Sequence, residues 1–232
     1  MKALLLAAGF GTRLHPITRD IPKCLVRVRD EVLLGRWLRI LREIGVEQVL
    51  VNTHYLADQV ERFLRPYRDE GWVISRHEHE LLGTAATIWT NREYLVASET
   101  LVIHADNYLE GDLQEFVDAH RTRPSRCVMS MLTVPCSDPS DVGTVGLDRD
   151  RVVTEFREKD PSSPFKDANA AVYILGVHAI QLTQSSKDFS TEVLPRLVGQ
   201  IFAHSFRGMV TDIGTQEKLR LVNSHMPSPT KN

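Results

Sequence analysis

Two glycines, an arginine and a lysine follow the first apolar run of the chain. Leu6-Ala7-Ala8-Gly9-Phe10-Gly11-Thr12-Arg13 leads, through Pro16, Thr18 and Pro22, to Lys23. Glycine lets a backbone approach a ligand closely, and successive N–H groups in such a loop can cradle phosphate oxygens. A guanidinium grips two non-bridging oxygens in a planar fork, and an ammonium adds a mobile point charge. Two cations on a glycine loop at the end of a buried strand are costly unless an anion sits there. The loop is not a dinucleotide fingerprint, because Leu14 stands where the third glycine belongs, and it lacks the Gly-Lys-Ser/Thr of a P-loop. On its own the glycine pair reads as a tight turn; Arg13 and Lys23 are what point to phosphate.

Two carboxylates follow at a distance. Asp106 ends the run Leu101-Val102-Ile103-His104-Ala105, and Asp212 lies in Thr211-Asp212-Ile213-Gly214-Thr215. Ligands of open α/β sheets bind at the carboxyl ends of strands, and Mg²⁺ takes one or two carboxylates plus phosphate oxygens. Either aspartate alone reads equally as a helix N-cap. His104, inside the run, reads as a packed strand residue rather than a ligand.

These residues need strands to hold them. Ala3–Ala8 is continuously apolar and stops at Gly9, as a strand buried on both faces does. Leu33, Leu34, Trp37, Leu38, Leu41 and Ile44 fall at helical spacing before Gly45. Val46–Thr53 predicts a second strand, Tyr55–Arg68 a second helix, Trp72–Ser75 a short strand, a further helix begins near Thr84, and Thr100–Ala105 is again a strand. Strands alternating with helices imply right-handed crossovers and helices on both faces of a sheet. After residue 124 the segments near 127–134, 142–147, 151–157 and 169–175 are strand-like, with a hairpin turn at Asp148-Arg149-Asp150-Arg151. This part predicts an antiparallel annex covering one edge, followed by helices near 190–198 and 215–223 and a polar, frayed tail from Ser224.

The 232 residues suit one α/β domain with a small annex, and 42% hydrophobic with 25% charged residues is ordinary globular composition. A net charge of −2 without a basic block gives no reason to expect a nucleic-acid or membrane partner. Cys24, Cys127 and Cys136 show no CxxC spacing and read as reduced thiols of a cytoplasmic protein. The apolar N-terminal run is too short for a secretion signal, and no stretch approaches a membrane span.

The segment from Leu6 to Lys23 resembles the signature of the sugar-nucleotide pyrophosphorylases, or sugar-1-phosphate nucleotidyltransferases: L-A-x-G-x-G-T-R-L-x-P-x-T-x-x-x-P-K. Asp106 resembles the family's metal aspartate at a strand end, and Asp212 the one in a late DIGT segment. Val142-Gly143-Thr144-Val145 resembles YGTV, Phe156-Arg157-Glu158-Lys159 resembles FxEK, and Asn169-Ala170-Ala171-Val172-Tyr173 resembles NAGVY with Ala171 in place of the usual glycine. Leu82-Gly83-Thr84-Ala85 resembles LGTAG. The likeness runs in order from Met1 to about Leu219.

What the resemblance implies is specific. The fold is a Rossmann-like three-layer αβα mixed sheet with a small antiparallel sugar-binding annex, one domain over 1–223. Its nucleotide half is about 1–123 and its sugar-phosphate half about 124–223, with 224–232 as tail. Leu6, Ala8, Gly9, Gly11, Thr12, Gly83 and Thr84 bind a nucleoside triphosphate. Arg13 and Lys23 act on the transferred phosphoryl group, and Asp106 and Asp212 hold Mg²⁺. Gly143, Glu158, Lys159 and Asn169 bind a sugar 1-phosphate. The reaction gives an NDP-sugar and pyrophosphate, and a homodimer is compatible with the likeness. The short chain, the LGTA segment and Asp188–Pro195 look most like short bacterial guanylyltransferases for mannose- or heptose-1-phosphate. Glucose-type thymidylyl- and uridylyltransferases often carry a pyrimidine-reading glutamine near Thr84, which is lacking here. Cytidylyl, uridylyl or thymidylyl transfer, and a non-catalytic nucleotide-sugar sensor on the same fold, are the alternatives. A glycosyltransferase is disfavoured because Asp106-Asn107-Tyr108 is not an Asp-x-Asp motif.

Overall fold

The computed structural model describes residues 1–224. Of the tail expected from Ser224, that residue closes the last helix and residues 225–232 lie outside the described residues. The chain runs β1 (Lys2–Leu6), a short pair β2 (Arg27–Val28) and β3 (Glu31–Val32), α1 (Leu33–Glu43), β4 (Gln48–Thr53), α2 (Ala57–Asp69) and β5 (Val73–His77). It continues with α3 (Thr84–Thr90), α4 (Arg92–Leu95), β6 (Thr100–His104), β7 (Asn107–Glu110) and α5 (Gln114–Arg121). Then come β8 (Met129–Pro135), β9 (Gly143–Leu147), β10 (Val153–Glu158), β11 (Asp167–Leu175), α6 (Val177–Gln181), β12 (Ile201–Ser205), β13 (Met209–Asp212) and α7 (Gln216–Ser224).

β1 lies parallel between β4 and β6, and β5 extends the sheet beyond β4. Because successive side chains of a strand point to opposite faces, β1 feeds two cores. Ala3 and Leu5 pack with Trp37, Leu38 and Leu41 of α1, Val60 and Leu64 of α2, Phe116 of α5 and Leu219 of α7. Leu4 packs on the other face with Ala85 and Ile88 of α3, Leu95 of α4 and Ile180 of α6. Helices on both faces of one sheet make three layers. That is why the parallel strands read as unbroken apolar runs.

The antiparallel annex is present, and it is built as a continuation of the same sheet rather than as a separate cover. β11 pairs antiparallel with β6, β8 follows beside β11, and β12 lies parallel to β8 at the edge. The β9–β10 hairpin, turned at Asp148–Arg151 as its sequence predicts, joins β11 at Asp167 and Ala168. The helix expected near 190–198 is instead a widened turn, Phe189–Val193, followed by a 3-10 turn, Leu194–Leu197. Pro195 has no N–H for an α-helical ladder, so the second turn starts afresh around it. Helices α4, α5 and α6 and strands β2, β3, β7, β12 and β13 go beyond the sequence reading. β7 and β13 are four residues each and β13 is half-buried throughout, so neither leaves an apolar run to detect.

β11 carries one irregularity with consequences for the site. Its pairing with β8 shifts between Asn169 and Tyr173, and within that bulge Ala171 adopts φ +53°. This is the left-handed region, where a Cβ costs about 1–2 kcal/mol and glycine none, which accounts for the glycine usual in the NAGVY pattern. Ala171→Gly is therefore expected to raise stability by roughly 0.5–1 kcal/mol and Ala171→Val to lower it by more than that. Urea denaturation of the three proteins tests the order Gly above Ala above Val; equal midpoints would refute it.

Candidate active site

Strand order reverses at β1: β4 and β5 were added on one side of it, and β6 on the other. The crevice beyond the carboxyl ends at such a switch is where open α/β sheets hold ligands. The glycine loop leaves β1 there. Asn52, at the end of β4, accepts the Ala7 N–H at 2.7 Å and donates to Glu78 Oε1 at 2.9 Å. The Thr87 hydroxyl donates to the same oxygen at 2.5 Å. The buried Glu78 carboxylate thus fastens the root of the glycine loop to the segment before α3. Further on, Gly11 turns back with φ +65°, and an added Cβ would lie 3.1 Å from the Lys23 Cβ, so the loop folds tightly over Lys23.

Lys23 is buried, and its Nζ donates to Asp106 Oδ2 at 2.6 Å and to Asp212 Oδ1 at 2.7 Å. Arg13 Nη2 lies 3.2 Å from Asp212 Oδ2. The two aspartates, far apart in sequence, meet through the small ribbon of β7 and β13. Asn107 pairs with Asp212, and the Ile213 N–H donates to the Asp106 carbonyl at 3.2 Å. Trp37 Nε1 donates to the Asn107 carbonyl at 2.7 Å, and Asn107 Nδ2 donates to the Ala170 carbonyl at 2.9 Å, tying the ribbon to α1 and to the β11 bulge. The N-cap alternative for the aspartates does not hold. Asp106 leads into β7, and the Thr215 hydroxyl, accepting from the Lys218 N–H at 3.2 Å, serves the start of α7.

The charges support one another. Burial works against a charged Lys23, but the carboxylates of Asp106 and Asp212 outweigh it and hold the ammonium above its ordinary range. Burial likewise works against ionised Asp106, and Lys23, with a smaller push from His104, holds it below the usual carboxylate range. Two carboxylates converging on one cation, open on one side to the crevice, suit a hard divalent ion that completes its shell with phosphate oxygens and water. Among the described residues no group of three or more His, Cys, Asp or Glu side chains forms an all-protein metal cage.

A cavity of about 390 Å³ opens beside this cluster, lined by Arg13, Asp106 and Asp212 and by Gly143, Glu158, Lys159 and Asn169. A smaller one of about 170 Å³ is lined by Gly9, Gly11, Thr12, Arg13, Lys23 and Asp106. Arg13 and Asp106 belong to both. Leu6, Ala8, Gly83 and Thr84 line neither. The Thr84 hydroxyl accepts the Phe189 N–H at 2.7 Å and lies 3.3 Å from Asp188 Oδ2, so it fastens the loop before α3 to the turn at 188–189. On the far wall, a Cβ at Gly143 would sit 2.6 Å from Glu158 Oε2 and 2.7 Å from the Phe156 ring, so a side chain there would displace both from their present positions. Burial pushes the Glu158 carboxyl up, against a smaller opposite pull from Lys159. Asn169 is held from both ends, donating to the Tyr173 hydroxyl at 2.8 Å and accepting the Ala171 N–H at 3.0 Å. His104, Ser190, Asp141 and Lys218 also line the cavity and carry no sequence motif that marks them as site residues. Ser190 lies in the Asp188–Pro195 stretch, whose likeness is the one available signal.

An open α/β crevice with clustered cations and carboxylates is chemically suited to phosphate groups. The family is given by comparison: a profile described as nucleotidyl transferase matches residues 2–228, and the chain belongs to that family. It is 30% identical over 220 residues to the mannose-1-phosphate guanylyltransferase catalytic subunit beta of Drosophila pseudoobscura pseudoobscura, covering 92% of this chain and 59% of that protein. It is 28% identical over 214 residues to a UTP–glucose-1-phosphate uridylyltransferase of Synechocystis, covering 85% of this chain and 55% of that one. The chain therefore spans a little over half the length of these curated relatives. Among solved structures, HddC from Yersinia pseudotuberculosis aligns with a TM-score of 0.78 at 27% identity, over 96% of this chain and 97% of the other. A Bacillus anthracis protein described as a candidate glucose-1-phosphate thymidylyltransferase, in complex with a sucrose, aligns with a TM-score of 0.84 at 21% identity over 96% and 94%, and shows the shared fold. No helix among the described residues is long and apolar enough to cross a membrane.

Replacing Lys23 by Met would leave Asp106 and Asp212 facing each other without their ammonium. Lys23→Met is expected to lower stability by on the order of 1–3 kcal/mol, discounted for the partial exposure of both aspartates. Millimolar Mn²⁺ should restore more stability to the variant than it adds to the wild type, because an ion bound only by the folded state stabilises it. Urea midpoints with and without Mn²⁺ test this. A variant as stable as wild type and indifferent to Mn²⁺ would remove the demand for a cation between the carboxylates.

Proposed function

We propose that the chain transfers a nucleoside monophosphate from a triphosphate to a sugar 1-phosphate, giving an NDP-sugar and pyrophosphate. The observation that carries this reading is the convergence of Lys23, Arg13, Asp106 and Asp212 beside a cavity that also holds Glu158, Lys159 and Asn169. Residues 1–123 supply the triphosphate side, with Gly9, Gly11 and Thr12 along its phosphates and Gly83 and Thr84 in the base and ribose segment. Residues 124–223 supply the sugar side. Lys159 holds the incoming phosphate, and Glu158 and Asn169 accept from or donate to sugar hydroxyls.

In the transfer, an oxygen of the sugar phosphate forms a bond to the α-phosphorus in line, the bond to the bridging oxygen breaks, and pyrophosphate leaves with that electron pair. No covalent enzyme intermediate is required, so positioning and charge stabilisation supply the catalysis. Arg13 and Lys23 take up charge on the transferred group. Asp106 and Asp212 hold Mg²⁺, which when bound neutralises phosphate charge and orients both substrates. A non-catalytic sensor is disfavoured because both cations and both carboxylates are retained and brought together.

For the finer specificity we propose GTP with a mannose- or heptose-type 1-phosphate, for surface-polysaccharide precursors. The support is the likeness to mannose-1-phosphate guanylyltransferases, the alignment with HddC, which has also been solved with GMP-PN, and the absence of a glutamine between Arg76 and Thr90. Pyrophosphate release from a matrix of triphosphates and sugar 1-phosphates tests it. GTP should lead; a clear lead for CTP, UTP or dTTP overturns the guanylyl assignment, and no release with any pair overturns the transferase reading. Within that assay Lys159→Ala should raise the KM for sugar phosphate on the order of tenfold or more and leave the triphosphate KM unchanged. Loss of triphosphate binding instead would refute the division of the chain between two substrates.

A further inference from the structure

The charged groups around the larger cavity are unevenly committed. Its cations are Arg13, Lys159 and Lys218, and its carboxylates are Asp106, Asp141, Glu158 and Asp212. Arg13 is paired with Asp212 at 3.2 Å, and the Lys218 ammonium is in close contact with Asp141. Lys159 forms no ion pair among the described residues. Lys159 is thus the lining cation without an ion pair, beyond its weaker pull on neighbouring Glu158, and one phosphate is what it can serve. The rest of the wall offers acceptors and amides, Glu158, Asp141 and Asn169, which suit hydroxyl groups and repel a second anion.

Lys218 would change this balance if it stood alone. It comes from α7, whereas Asp141 comes from the loop before β9, so the pair crosses the cavity wall between two distant segments. Side-chain exposures of 30% for Lys218 and 38% for Asp141 place it at the wet edge of the wall. Ion pairs so exposed contribute about 0–1 kcal/mol to stability, so fastening α7 is a weak reason for the pair. Its larger effect is on what enters. Asp141 cancels the charge that would otherwise draw an additional phosphate or carboxylate on the sugar into the cavity.

We infer that Asp141 is a specificity-determining residue of this cavity: by neutralising Lys218 it keeps a second anionic group on the sugar from being accepted. The inference rests on the sugar-phosphate reading of the cavity and adds to it the residue that polices charge on the sugar.

The test uses the wild-type protein, with the triphosphate that gives most pyrophosphate, and three sugars: a hexose 1-phosphate, the same hexose 1,6-bisphosphate, and the corresponding hexuronic acid 1-phosphate. The wild type should favour the neutral sugar over each anionic one by about tenfold or more in kcat/KM, the scale of one uncompensated like-charge contact in a partly solvated cavity. Asp141→Asn should bring the three within about threefold, by a gain on the anionic sugars, with the triphosphate KM unchanged. Lys218→Met should widen the gap, because it leaves Asp141 uncompensated. Equal use of bisphosphate and monophosphate by the wild type overturns the inference while leaving the transferase reading intact. So does a discrimination that neither variant alters. Absence of turnover with every sugar phosphate overturns both.

Discussion

The ammonium of Lys23 between the carboxylates of Asp106 and Asp212 is the contact on which the site depends. Each of these charges would be costly by itself at the end of a packed sheet. Together they make a cluster whose geometry is set by three unrelated pieces of chain: the return of the glycine loop, the end of β6 and the end of β13. The cluster holds the loop over the crevice and ties the late ribbon to the early sheet. It also means that the two carboxylates already face a cation. Under the proposed function the same two carboxylates would hold a divalent ion, whose chemistry is neutralising phosphate charge, with Lys23 beside them. In that proposal one side chain would serve as counter-charge to the carboxylates and as a hydrogen-bond donor to phosphate oxygens.

Much of this is legible in the sequence, and what is not has physical causes. Runs such as Ala3–Ala8 and Thr100–Ala105 announce doubly buried strands, so the apolar pattern alone puts Gly9 and Asp106 at carboxyl ends. The aspartates stay ambiguous between cap and ligand because the choice turns on where a helix begins. Thr215 takes the capping position of α7, and that is a fact of backbone path, not of composition. Glu78 sits in His77-Glu78-His79-Glu80, which reads as a solvated stretch, yet it is buried because Asn52 and Thr87 converge on it from other elements. Asp141 and Lys218 are 77 positions apart in a loop and a helix of ordinary polarity, and no local pattern connects them.

Ala171 illustrates a departure from a pattern that a fold can absorb. In sequence, alanine in a glycine position casts doubt on the close backbone path through the bulge. In the structure the path is kept: Ala171 takes the left-handed conformation, and its N–H is anchored by Asn169 Oδ1. The cost of the Cβ is local and modest, whereas losing the bulge would unseat Asn169 and the Ala170 carbonyl that receives Asn107. The surrounding hydrogen bonds therefore decide the backbone, and the residue type only adjusts its energy.

A division between a triphosphate half and a sugar half is useful for assigning residues, but two features bind the halves mechanically. The first is the continuous sheet, in which β11 pairs directly with β6, the strand that ends at the Asp106 corner. The second is the turn after Lys187. Its carbonyl accepts the Ala85 N–H at 3.0 Å, its Phe189 N–H is taken by Thr84, and the next residue, Ser190, lines the cavity with Glu158 and Asn169. Asp188 Oδ1 in turn caps the widened turn by accepting the Thr191 N–H at 2.8 Å, which fixes the direction in which Ser190 leaves the backbone. A shift of the loop ahead of α3 would thus be transmitted to the cavity wall through four consecutive residues and their hydrogen bonds, with no long lever between them. In the proposed transfer, which depends on bringing two phosphates into line, such short coupling would let the segment assigned to one substrate set the position of groups assigned to the other.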